Sequence, residues 1–203
     1  MHFDGHRLRF GWTMTGSRTR SLVLTACACL LLPTAASCAS PVISEEEIES
    51  AFLFNFAKFT AWPQESFDTA SSPIVVCVLG DKRFADTLQR VVNGESISGR
   101  KMLIKKVDEK TGFRKCHVGF IPASGRRATA EILAPLGTAT VLTVGQAEDF
   151  GRQGGMIRLY VLNGRAQFEI NLAAARRAGL SISSSLLAFA TIVKDVAPEG
   201  ERP

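Results

Sequence analysis

Long apolar runs are missing from this sequence, histidine is scarce, and no phosphate-binding loop pattern occurs. Each shortage removes a class of function. The most apolar stretch, Ser21–Leu32, has about 12 residues, whereas a helix that spans a bilayer needs roughly 20. Gly80-Asp81 follows an apolar run without completing a G-x-G-x-x-G. Gly151-Arg-Gln-Gly154-Gly155 precedes such a run, whereas a dinucleotide loop follows its strand. No nucleotide site is therefore expected. Ser183-Ser184-Ser185 lacks the G-x-S-x-G elbow of a serine nucleophile, and its expected role is helix capping by a hydroxyl.

What the sequence does contain begins with an export signal. Arg7, Arg9, Arg18 and Arg20, against the single acid Asp4, precede the short apolar stretch. Pro33 breaks any helix there, and Ser37-Cys38-Ala39 offers a small-x-small cleavage site, so residues 1–39 read as a cleavable signal peptide. Lipid attachment at Cys38 is the competing reading. It rests on Ala35-Ala36-Ser37-Cys38, which lacks the leucine expected at the first position. The mature chain is then one α/β domain over 40–195 and a tail over 196–203, polar and with two prolines, expected to fray.

Removing the signal deepens the shortages. His2, His6, Cys27, Cys29 and Cys38 go with it, leaving His117, Cys77 and Cys116. A Cys/His zinc site needs three or four donors, so neither metal nor cofactor is expected. Four basic residues and one acidic residue are also lost, and the net charge falls from +5 to +2. A near-neutral exported chain is a poor nucleic-acid partner, despite the Arg126-Arg127 and Arg176-Arg177 pairs.

Periodicity supplies the fold class. Ser44-Glu45-Glu46-Glu47 is a capping box, and Ile48, Ala51, Phe52, Asn55, Phe56 and Phe59 recur at helical spacing, predicting a helix over 44–60 ended by Trp62-Pro63. Pro73–Gly80 and Cys116–Pro122 are continuous apolar runs, as in strands buried on both faces. Further strands are expected at 101–107 and 138–144, with helices near 82–92 and 126–136 between them. This alternation argues a mainly parallel sheet with helices on both faces. Met156–Leu162 and Ala166–Ile170, joined by Asn163-Gly164, add an antiparallel C-terminal hairpin at the edge. Asn171 then leads into a short helix through Arg177, Gly179 caps it in the left-handed conformation, and a last helix is expected from Ser184 to Val193.

In an exported protein two remaining cysteines most often pair. The rival reading is two buried thiols packed as small hydrophobes. Neither cysteine lies in a Cys-x-x-Cys pair, so a catalytic redox role is not indicated. His117, between Cys116 and Val118 in an apolar strand, reads as a hydrogen-bonded core histidine. Glu109, Glu148, Asp149 and Glu169 are available carboxylates, but nothing in their spacing marks an acid/base pair. The chain is therefore read as a binding protein rather than an enzyme.

Several separated segments, in one order, resemble the YfiR family of periplasmic proteins: Ala51–Pro63, Cys77–Gly80, Cys116–Ile121, Val141–Val144, Gly154–Ile157 and Phe168–Ser184. The resemblance runs from about residue 47 to 193. It implies a periplasmic repressor that binds the periplasmic region of an inner-membrane diguanylate cyclase, or of a related sensor kinase, and lowers cyclic-di-GMP signalling and biofilm formation. It also implies a homodimer, and an outer-membrane lipoprotein that relieves repression by sequestration. Cys77 and Cys116 match one family disulfide; a second, more C-terminal pair has no counterpart here. Asn55, Phe56, Phe59, Trp62, Glu169, Asn171 and Arg177 are the expected partner-binding residues. A second hypothesis is a periplasmic small-molecule receptor, with a crevice lined by residues after Gly80 and Pro122.

Overall fold

The structure is a computed structural model that describes residues 43–108, 112–123 and 129–194. The expected export signal and the expected tail lie outside these residues, as does Glu109. The first helix, α1 (Glu45–Lys58), begins on the expected capping box. Glu47 N–H donates to Ser44 Oγ at 3.2 Å, and Ser44 N–H donates to Glu47 Oε2 at 3.0 Å. The chain continues through β1 (Thr60–Ala61), β2 (Ile74–Leu79), α2 (Lys82–Val91), β3 (Ser96–Ile97) and β4 (Arg100–Val107). It then forms β5 (Val118–Ile121), α3 (Thr129–Leu133), β6 (Leu142–Gly145), β7 (Ile157–Leu162) and β8 (Arg165–Asn171). The last elements are α4 (Leu172–Arg177), β9 (Ser181–Ile182), α5 (Ser184–Leu187) and β10 (Thr191–Val193).

Eight strands form one sheet in the order β10-β8-β7-β6-β5-β2-β4-β3. All neighbours are parallel except the hairpins β7–β8 and β3–β4. β1 and β9 make a separate antiparallel pair that ties the end of α1 to the chain after α4. The mainly parallel α/β class is thus present, with the Asn163-Gly164 hairpin where the sequence places it. Both turn residues have positive φ, 52° and 70°, as a type I′ turn requires.

Two expectations about the edges are overturned. The helix expected from Ser184 to Val193 stops at Leu187, and Thr191-Ile192-Val193 pairs parallel with Glu169–Asn171. Branching at Cβ favours the extended chain there over a helix. As a result the C-terminal hairpin is interior, with β10 outside it. The opposite edge carries an unexpected hairpin, in which Ser98 and Gly99, at φ 51° and 78°, turn β3 onto β4. Smaller shifts follow from local turns. β6 starts at Leu142 rather than 138 because Ala139 N–H bonds Leu136 O and Val141 N–H bonds Ala139 O, closing two turns first. The helix expected at 126–136 is described only from Thr129, and it tightens into a 3-10 turn over Ala134–Leu136.

Strand alternation sorts the core into two faces. Ile74, Val76 and Val78 of β2, Val118 and Phe120 of β5, and Leu142 and Val144 of β6 point to one face, where they pack against Leu53 and Phe56 of α1 and Phe84 and Leu88 of α2. Cys77, Leu79 and Ile121 point to the other face and meet Phe113, Cys116, Leu133, Leu136, Val141 and Phe150. Phe150 lies between two glycines, since a Cβ on Gly145 or Gly155 would come within 2.2 Å of its ring.

Candidate functional site

Aromatic residues at helical spacing in α1 meet the C-terminal strands, and the junction is only partly filled. Phe52, Phe56 and Phe168 form an aromatic cluster with ring centroids 5.1–6.0 Å apart. Phe56 is its completely buried member. Above it a groove of about 660 Å³ runs between α1, β8, α5 and β10, lined by Phe52, Asn55, Phe59, Gln167, Phe168 and Phe189. Phe189 stands 82% exposed at its mouth, and Ile192 of β10 is 48% exposed. Large exposed aromatics that border an apolar groove mark an interaction surface.

The expected partner-binding residues divide into four groups. Asn55 and Phe59 line this groove. Trp62 lines the neighbouring depression with Phe67 and Arg100, and its indole N–H donates to His117 O at 3.3 Å. Glu169 accepts from Arg158 Nη1 at 3.1 Å, and Arg177 is exposed at the end of α4, where a cation suits the helix dipole. Phe56 and Asn171, by contrast, have no exposed surface to offer. Asn171 Oδ1 accepts from Ala174 N–H and caps α4, while its Nδ2 donates to Gly151 O, both at 2.9 Å.

Cys77 and Cys116 are joined in a disulfide, with Cα atoms 5.9 Å apart. It pins the turn before β5 to the centre of β2. His117 follows directly, and its Nδ1 accepts from Val75 N–H at 3.0 Å. Nε2 is 2.9 Å from Ser66 O, a contact that only an Nε2–H can make as donor, so the ring is the neutral Nε2–H tautomer. It stacks on Phe67 with centroids 4.5 Å apart. Burial holds its pKa below the ordinary histidine value. His117 is thus a structural histidine, as its apolar strand suggested.

The carboxyl ends of β2 and β5, expected to line a receptor crevice, are internally tied among the described residues. Asp81 caps α2 by accepting from Phe84 N–H at 2.9 Å. Ala123 N–H donates to Gln146 Oε1 at 2.9 Å, and Gln146 Nε2 donates to Glu49 Oε1 at 2.6 Å. Burial pushes the Glu49 carboxyl above its usual range. Glu148 and Asp149 line a pocket of about 420 Å³ with Arg152, Arg158 and Glu169. Among the described residues no group of His, Cys, Asp and Glu is placed to hold a metal ion, and no helix is long and apolar enough to cross a membrane.

Sequence reasoning missed Phe189, the most exposed large apolar side chain among the described residues. The expected helix over 184–193 absorbed it into an apolar run. The cue that was present is Thr191-Ile192-Val193, whose branched side chains predict a return to strand and leave Phe189 at the corner.

A fold match comes from a crystal structure of a conserved domain protein from Vibrio cholerae O1 biovar El Tor strain N16961, with a TM-score of 0.52 at 13% identity. The match covers 74% of this chain and 60% of that one. At this identity it shows the fold alone. The YfiR/HmsC-like family (DUF4154) matches residues 46–191, from the first turn of α1 into β10. That span takes in the aromatic helix, the disulfide, the hairpin and the groove between them, and the chain belongs to this family of periplasmic regulators.

Proposed function

We propose that this protein represses a membrane-bound diguanylate cyclase, or a related sensor kinase, by holding the receptor's periplasmic region in the aromatic groove. The observation that carries this reading is Phe189, exposed beside an apolar groove whose walls include Phe52, Asn55 and Phe59 of the family segment Ala51–Pro63 and Phe168 at the start of Phe168–Ser184. Burying one phenylalanine stabilises a complex by about 1.5–3 kcal/mol, so Phe189, Phe52 and Phe59 together supply an anchor of the kind found at interface centres. Asn55 and Gln167 offer polar groups at its rim. Export by the signal at 1–39 delivers the domain to the compartment where such a receptor exposes its sensor. A homodimer, and release by an outer-membrane lipoprotein, belong to the same reading by analogy with the family. Deleting the gene and measuring intracellular cyclic-di-GMP tests it. The level is expected to rise several-fold, and an unchanged level counts against the cyclase.

A further inference from the structure

We propose that the free edge of β4 is a second docking surface, which takes an acidic extended segment of a partner protein by strand addition. β4 pairs with β2 from Met102 to Val107, whereas β3 covers its other side only at Arg100 and Lys101. Gly80 N–H donates to Val107 O at 2.9 Å, so the amide groups of Val107 turn towards β2. By the alternation of a parallel ladder, those of Lys105 and Leu103 do the same. Ile104 and Lys106 therefore turn N–H and C=O outward, with no strand opposite them among the described residues, whereas Met102 stands opposite Glu95, the residue before β3. Such an edge is a template for another chain.

Charge selects which chain. Lys101, Leu103 and Lys105 alternate onto the same face of the sheet, and Leu103 is 41% exposed between the two lysines. Lys106 flanks the edge from the other face. None of these three lysines has an ion pair or side-chain hydrogen bond among the described residues. Alongside, Leu103, Lys105, Arg114 and Lys115 line a groove of about 960 Å³, to which Glu65 and Asp68 add the only carboxylates among the described residues. Lysines on an edge oppose pairing between identical copies, because two β4 edges would bring lysine against lysine. The same charges attract a strand that carries Asp or Glu beside apolar residues. The partner is therefore a different, acidic chain. This edge lies across the sheet from the aromatic groove and rests on none of the observations made there.

The test is an NMR titration of the full-length mature protein with a peptide of about nine residues alternating Glu and Val, and with a control carrying Lys for Glu. The acidic peptide is expected to slow exchange at the Ile104 and Lys106 amides. It should bind at least tenfold more tightly than the control, and lose most of that margin in concentrated salt. Lys101→Glu with Lys105→Glu should weaken it at least tenfold. Lys106→Pro, which deletes one outward N–H and leaves the β2 ladder intact, should abolish the added protection. If Lys106→Pro does not fold, the charge reversal alone decides. Unchanged exchange at those two amides, equal binding of the lysine peptide, or indifference to the charge reversal would overturn the proposal.

Discussion

The two faces of the sheet are held by different means. On the α1 and α2 side, 26 buried apolar residues form one cluster; on the other side, 9 do, among the described residues. The larger face is fastened by helices of 14 and 10 residues. The smaller has one five-residue helix and a 3-10 turn, together with a covalent bond and a phenylalanine wedged between glycines. Where helical area is short, the disulfide and close backbone approach take its place. The aromatic groove lies at the end of the well-buttressed face, so binding there should tolerate damage to the other face.

That contrast is most exposed to failure at the disulfide. Replacing Cys77 and Cys116 together by serine removes a bridge spanning 39 residues of sequence, a loop for which chain entropy predicts a loss of about 4 kcal/mol. Denaturant titration measures the total. Hydrogen exchange should localise the loss, with faster opening at Phe113, Ile121 and Val141 and little change at Phe168 or Ile170. Uniform opening across both faces would dissolve the distinction. Gly145→Ala is the next largest. Its methyl would overlap the Phe150 ring, and overpacking of this kind costs about 1–3 kcal/mol, read as a lowered thermal midpoint. Phe150→Leu in the same background should recover part of the loss.

The smallest effect is in pH. His117 has a pKa lowered by burial, and both ring nitrogens are committed in the neutral form. Its folded value lies below the unfolded one of about 6.5, so its stabilisation is complete above that pH and declines as pH falls below it. Stability of the parent should therefore drop more than that of His117→Gln as pH falls below about 6.5. Parallel curves would show that the ring is not what titrates.

Much of this contrast is written in the sequence. The continuous apolar runs of β2 and β5 reveal a sheet covered on both sides, and the Ser44–Glu47 box and Asn163-Gly164 are local signals that tertiary packing had no reason to override. What was not legible depends on distant partners. The branched Thr191-Ile192-Val193 segment carries a strand cue, but the edge it pairs with, that of β8, is set by tertiary packing, and Ser98-Gly99 is a weak turn signal beside the exposed β4. The candidate site divides in the same way. Asn55 and Phe59 followed from helical spacing and the family segments, whereas Phe189 required knowing where α5 stops. Helical spacing also could not separate Phe56, which is completely buried, from Phe59, which lines the groove just past the end of α1.

The most direct test of the groove is Phe189→Asp, introduced into the gene at its native locus. An exposed side chain contributes little to folding, so the thermal midpoint should stay close to that of the parent. Intracellular cyclic-di-GMP should rise to the level of the deletion strain. A folded, exported Phe189→Asp protein that still holds cyclic-di-GMP at the parental level would contradict the groove as the repressing surface.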